Sequence, residues 1–414
     1  MRGFCAMVMV FVWGSLSAQH LDEGFYQREE GSSVHLSLYG GYASDHLGNA
    51  FLKEFAFSEV LTRGRIDEQR SRLKGTTLIG GDYRFSFNAD IRLKEGPWSF
   101  LFLMSDVAHF GGRIQDDAFA MAFYGNKGFA GGTAELGGSS VHLLRYQKVG
   151  MGARWQDVDR SAALVVSFVN GQQLLDASLE RANIYTSDIG DTLRADVIAR
   201  WRMTDSTANV FSAPNGGGFA IDFSFSERFD ALDSRWDLSI DVRDLGWIQW
   251  HPGGEVWDVD TVIEFTGVDV GEVSDLGSFY TLESTMNDSI SAMVDAWRSS
   301  ATHESYLPGW LQVRLRQSKQ TGIEFGMGVA GRWATEALTY AWLESGYRFN
   351  ERWLVGAEIG YGGFGKTQVG VSGEFQTGRT SARIRVSNLE GLILPVSSAG
   401  LTASIGLSIR LNEL

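Results

Sequence analysis

Between Asp82 and Met104 the chain alternates almost without a fault. Tyr83, Phe85, Phe87, Ala89, Ile91 and Leu93 are apolar, and Asp82, Arg84, Ser86, Asn88, Asp90, Arg92 and Lys94 between them are polar or charged. Only a β-strand, whose side chains change face at every residue, sorts such a pattern onto two sides. Glu95-Gly96-Pro97 then supplies a turn, and Trp98, Phe100, Phe102 and Met104 start the return strand. About eleven alternating residues is the length that crosses a bilayer's hydrocarbon layer when the strand is tilted.

The unit recurs along the chain. Ser33 to Gly40, Ser139 to Gly152, Ser161 to Asn170, Thr192 to Met203, Phe219 to Ser226, Trp236 to Arg243 and Asp258 to Asp269 read as strands, with varying regularity. From Trp310 onward strands follow one another closely, separated by short turns such as Asn350-Glu351-Arg352. The last places Ala403, Ile405, Leu407, Ile409 and Leu411 on one face, close to the chain's end. The expected fold is all-β: a transmembrane antiparallel barrel of about fourteen strands, within roughly twelve to sixteen. Three stretches break the alternation. Residues 42–75 suggest short helical pieces near 50–73, forming a lumen plug, a segment at the periplasmic rim or an ordered surface loop. Phe110 to Gly138 reads as a long glycine-rich loop. Gly271 to Ser305 reads as an acidic loop with an amphipathic helix near 286–298.

Alternation also suits a soluble β-sandwich. Strand length exceeds the five or six residues usual in globular sheets. Aromatic rings stand at strand ends (Trp98, Trp236, Trp310, Trp333, Phe349, Trp353), where a girdle at the headgroups belongs. All 5 prolines fall in turns or segment ends, as uninterrupted strand ladders require. The strand length and the aromatic ends favour the membrane.

Met1-Arg2, the apolar run Phe4 to Trp13 and the small residues Ser15 to Ala18 form an export signal over residues 1–18, followed by one barrel domain over 19–414. Cys5 is the sole cysteine, so removal of the signal leaves no thiol for a disulfide or metal site. After the signal no apolar run is long enough for a spanning helix, so a membrane location demands a closed sheet. A net charge of −14 argues against nucleic acid as a partner.

Several segments resemble an outer-membrane barrel family of undefined function from Bacteroidota, itself related to the long-chain fatty-acid transporter and to barrel partners of the type IX secretion system. They are Ile66-Asp67 ahead of Leu78-Ile79-Gly80-Gly81-Asp82-Tyr83-Arg84, then Phe123-Tyr124-Gly125-Asn126 and Asp244-Leu245-Gly246-Trp247-Ile248-Gln249-Trp250. Tyr306-Leu307-Pro308 and Asn388-Leu389-Glu390-Gly391, with Pro395 and the closing strand, continue the likeness. The resemblance implies a bacterial outer-membrane location and a fourteen-stranded barrel like the fatty-acid transporter's. It carries over no transport residue.

Three motifs invite chemistry. Gly360 to Thr367 fits the phosphate-loop pattern GxxxxGK[ST], but alternation resumes where that loop needs a helix, so a glycine-rich hairpin turn is expected. His303-Glu304-Ser305, like His35-Leu36-Ser37, has the His-x-Ser spacing of an outer-membrane lipid hydrolase, without the rest of that signature. Asp157/Asp159 and Asp258/Asp260 lack the glycine and closing glutamate of a calcium loop. No enzyme, cofactor or metal is expected. Ten charges fall on the faces assigned to the lumen: Arg84, Asp90, Arg92, Asp237, Asp241, Arg243, Glu324, Glu358, Arg383 and Arg385. They either pair across strands or line a polar conduit. The function expected is passive transport of small or hydrophobic molecules. A non-transporting envelope scaffold is the alternative, and a lipid hydrolase a remote one. The partners expected are outer-membrane lipid, with a hydrophobic solute or an envelope protein.

Overall fold

In the computed structural model, which describes residues 31–411 apart from 59, 95, 205–214, 267–296 and 320, the alternating segments form strands of one hydrogen-bonded sheet. The first strand, β1 (Ser33–Ser44), pairs with β2 (Thr76–Arg92) and also with the last, β19 (Ala399–Arg410), from Ser33↔Arg410 to Ser44↔Ala399. That pairing leaves no free edge, and the wall is a closed antiparallel barrel of 14 strands. After β2 it continues through β3 (Trp98–Gln115), β5 (Ser140–Gln156), β6 (Arg160–Thr186), β8 (Gly216–Ala231) and β9 (Ser234–Trp250). It then runs through β13 (Trp310–Ser318), β14 (Gly322–Arg332), β15 (Tyr340–Arg348), β16 (Trp353–Tyr361), β17 (Thr367–Gln376) and β18 (Thr380–Ser387) to β19.

One end of the barrel carries the start of β1, the end of β19 and the short turns. The other carries the long connections, and these differ from the sequence expectation in four places. Phe110 to Gln115 belong to β3, because His109 still pairs with Asp82 and the ladder runs on to Thr76↔Gln115. The remaining connection holds a helix (Asp116–Tyr124), a 3-10 turn (Asn126–Phe129) and the short strand β4 (Gly132–Glu135). The strands expected at 192–203 and 258–269 are found as β7 (Leu193–Met203) and β10 (Glu255–Phe265), with 267–269 outside the described residues, but they do not join the wall. β6 is 27 residues long; its first half pairs with β8, and its second half projects past the wall and pairs with β7, which pairs with β10. The strand β11 (Arg298–Ser299) edges this extension, and β12 (His303–Tyr306) returns to β9. Finally, Trp310 is no girdle residue: it pairs with Arg243 and Arg332, shares their inward parity and is buried. The signal segment 1–18 and most of the helix expected near 286–298 lie outside the described residues.

Outward-facing positions form an apolar belt. In β14 alone Ile323, Phe325, Met327 and Val329 are all exposed, and β2, β3, β6, β16 and β19 repeat the pattern. A soluble monomer seldom shows so continuous an apolar surface.

The helices between β1 and β2, named α1 (Asn49–Phe57) and α2 (Arg63–Arg70), form where the sequence suggested, and the helix Asp116–Tyr124 is α3. They do not enter the lumen. Leu47, Phe51, Ile66 and Phe119 pack against Tyr42, Ile79, Ile114 and Ala399, which share the outward parity of their strands. Leu78, one residue before Ile79, joins a different cluster on the inner side. The helices therefore buttress the outside of the wall at the long-loop end. Between α1 and α2 the Thr62 N–H donates to Glu54 at 2.6 Å, and the Thr62 hydrogen bonds hold the Glu54 carboxyl below its usual range.

Candidate functional site

Inward-facing residues fill the barrel in layers. At the long-loop end the loop between β16 and β17 folds down and inserts Phe364, which is 1% exposed. Its ring lies against the bare backbone of Gly80; a Cβ there would stand 2.2 Å from the ring. Gly111, Ala43, Leu78 and His109 complete the seat. The phosphate-loop look-alike is thus a hairpin whose glycines let an aromatic stopper turn inward. Gly362 and Gly363 take positive φ, and Gln368 returns a hydrogen bond to the Gly362 carbonyl at 3.0 Å. Gly80→Val is expected to push Phe364 out of its seat, read as faster proteolysis of the β16–β17 loop in an otherwise folded barrel.

Below the stopper, opposite walls are tied by ion pairs. Arg332 of β14 grips Asp82 of β2, halfway round the barrel, through both oxygens at 2.5 and 2.7 Å, and its guanidinium lies 4.2 Å over the Trp310 ring. His109 Nδ1 meets Asp82 at 2.7 Å. A second tie joins Arg84 of β2 to Asp244 of β9, and Lys148 of β5 bridges Asp244 and Asp222 at 2.7 and 2.6 Å. Buried charges survive only when paired and hydrogen-bonded in this way. Asp244 is held in the left-handed region at φ 57, with its N–H on Asp222 Oδ1 at 2.8 Å. The β8–β9 register shifts at this point, and beside it the strand neighbouring β9 breaks between β12 and β13. Leu307, Pro308 and Gly309 span that break; the Leu307 N–H donates to the Gly246 carbonyl at 3.0 Å, and the Gly309 carbonyl accepts the Trp333 N–H at 3.3 Å.

Just inside this fault sits the largest apolar cluster of the lumen. Ile248, Trp250 and Leu307 meet Val107, Leu144, Tyr146, Val169, Leu174 and Ala220, all nearly sealed from solvent. A smaller one, Trp310, Ala330, Tyr340 and Trp342, occupies the adjoining sector.

All ten charges singled out from the sequence project from the inward face. Arg84 belongs to the ties. Asp90 pairs with Arg154, Asp237 with Arg228 (2.9 Å), Arg383 with Glu374 (2.7 Å), and Glu324 with both Arg348 (2.6 Å) and Arg316 (3.2 Å). Glu358 accepts from Ser387 at 2.5 Å and faces Arg385 at 3.8 Å. Arg243 borders the small space between Asp82 and Trp310, Asp241 lies among the arginines nearer the short turns, and Arg92 at the rim donates to the Gly96 carbonyl. The sequence reading did not single out Asp82, Lys148, Asp222, Asp244 or Arg332. A mark for one was present: the adjacent charges Arg243 and Asp244 interrupt an otherwise strict alternation, which is how a bulge announces itself.

Among the hydrolase look-alikes, Ser305 accepts the Trp250 indole N–H at 2.8 Å while the His303 ring stacks on that indole, and His35 bonds Ser33 rather than Ser37. Asp157 caps its own turn, and Asp258 and Asp260 face Arg200 and Arg181. Among the described residues no cluster of His, Cys, Asp and Glu could hold a metal ion.

No curated protein sequence matches the chain. Solved structures do. A TodX deltaS2S3 mutant, a monoaromatic hydrocarbon channel, aligns with a TM-score of 0.50 at 8% identity, over 96% of each chain. The P. putida toluene transporter TodX aligns at 0.45 and 9% over 93% of this chain and 91% of that one. A Pseudomonas aeruginosa FadL homologue aligns at 0.43 and 9%, over 92% and 91%. At such identities the first likeness is one of fold, and it is the same closed barrel. A model described as a family of unknown function, DUF5723, matches residues 49–411, from α1 through the closing strand, and the chain belongs to that family.

Proposed function

We propose that this protein is a bacterial outer-membrane channel for small hydrophobic molecules, closed in the conformation described above. One observation carries the reading: the buried apolar cluster around Trp250 lies directly behind the fault where β9 is bulged and β12 parts from β13. An apolar solute leaving through that fault would never cross the charged ties, and would pass from an apolar interior to the apolar belt. The belt supports a membrane setting, since lipid admits only helices and closed sheets. Short turns at one end and long connections at the other support an orientation with the long connections outside the cell. The ties and the Phe364 stopper cross the lumen, which favours a narrow apolar route over the wide aqueous pore of a porin.

Liposomes containing the purified protein should take up toluene faster than empty ones, while planar bilayers show no ion steps. Uptake equal to that of empty liposomes would remove the channel reading. The scaffold alternative draws on the extension of β6, β7 and β10, which projects past the wall and in which, among the described residues, Asp258 to Phe265 of β10 pair with β7 alone. It predicts an envelope partner captured by the intact protein and lost when residues 187–203 and 255–265 are deleted.

A further inference from the structure

Two loops meet over the long-loop end of the lumen. One joins β14 to β15 (333–339), and the other, joining β16 to β17 (362–366), carries the Phe364 stopper. They are bonded to each other: the Leu338 N–H donates to the Gly363 carbonyl at 3.0 Å, and the Gly363 N–H returns to the Leu338 carbonyl at 3.2 Å. A Cβ on Gly362 would stand 2.0 Å from the Thr339 carbonyl oxygen, so the bare glycine lets the two backbones touch. Ala337 of the first loop packs on the Phe364 cluster of the second. The first loop is also fastened across the mouth. Glu336 meets Arg113 of β3 at 2.6 Å and accepts the Ser140 hydroxyl of β5 at 3.0 Å, nearly half-way round the wall from β14 and β15. Unlike the sealed ties below, this pair is wet, with the Arg113 side chain 45% and that of Glu336 25% exposed. In the second loop Lys366 Nζ lies 2.8 Å from His46 Nε2, a bond not made between opposite charges.

We propose that the two loops form one lid over the channel entrance, that the Glu336 contact is its latch, and that ionic strength sets how often it opens. An ion pair this exposed contributes little and is screened by salt, so it breaks without disturbing the wall. The buried ties of Asp82 and Asp244 cost far more to break. Release of Glu336 frees the edge of the lid, and Phe364 leaves its seat with it, because Leu338 and Gly363 hold the loops together. The lid takes its purpose from the channel reading above, but its motion can be measured without any solute.

Amide hydrogen exchange of the folded barrel in detergent reads that motion. Glu336→Ala should speed exchange at both Leu338 and Gly363 about two- to fivefold, the range that loss of a partly exposed ion pair allows. Arg113→Ala should act in the same direction, and adding it to Glu336→Ala should change nothing further, since both ends belong to one contact. Raising NaCl from about 0.1 M to about 1 M should speed the same two amides in the wild type and leave Glu336→Ala unchanged. Faster exchange at Leu338 alone would overturn the single lid. Equal exchange in wild type and Glu336→Ala, or an equal salt response in both, would overturn the latch. In liposomes Glu336→Ala should take up toluene about two- to fivefold faster than wild type, in step with its exchange. Faster exchange with wild-type uptake would remove the lid as the entrance. No uptake by either protein would remove the channel reading, with lid and latch still decided by exchange.

Discussion

Replacing Asp244 with alanine should destabilise the barrel by about 3–5 kcal/mol, because it strands the buried Arg84 charge and takes from Lys148 one of the two carboxylates it bridges. Asp244 has no exposed surface, and it is the one carboxylate both cations share. A second, smaller cost comes from the backbone. At φ 57 alanine suffers the left-handed clash, worth about 1–2 kcal/mol, in a region that aspartate tolerates better than most L residues. The two contributions separate experimentally. Asp244→Gly should recover only the backbone part, and Asp244→Asn should fall between wild type and Ala. Urea unfolding in lipid vesicles, followed by tryptophan fluorescence, gives the order. If Gly restored full stability, the ion-pair account of the ties would be wrong.

Trp250→Ala should cost about 3–5 kcal/mol as well, for a different reason: it empties the centre of the apolar cluster and leaves a cavity that its neighbours cannot collapse to fill. Such a cavity stays dry and takes small apolar guests. Toluene should therefore raise the variant's stability and leave the wild type unchanged. If the fault beside β9 is the exit, the variant should also pass toluene faster. Loss of stability without rescue by toluene would mean that polar groups, Ser305 among them, draw water into the space.

Much of the fold could be read in the chain because a two-residue period has one structural meaning. Tyr83 to Leu93 could alternate only as a strand with one greasy face, and repetition without a spanning helix forced the sheet to close on itself. Inward projection of the ten charges followed from the same parity. Parity is silent about height, however. Thr192 to Met203 alternates as a wall strand would, yet it stacks above the wall because β6 outruns its neighbour β8. Trp310 has the right residue type for a girdle, but its register with Arg243 turns it inward.

The lumen's contents were harder to read than its walls. Arg332 and Asp82 are 250 residues apart, and their meeting depends on the barrel's cross-section, to which each strand contributes only a fraction. By itself the sequence determined the antiparallel strands, their two faces and the need for closure, since those follow from local side-chain alternation and the demand that every backbone amide find a partner. Only the tertiary structure decided which charges reach across, that a glycine-rich hairpin stoppers the mouth with Phe364, and that the rim helices lean on the outside of the wall. Those contacts join residues distant in the chain, and closure of the whole sheet sets their distances.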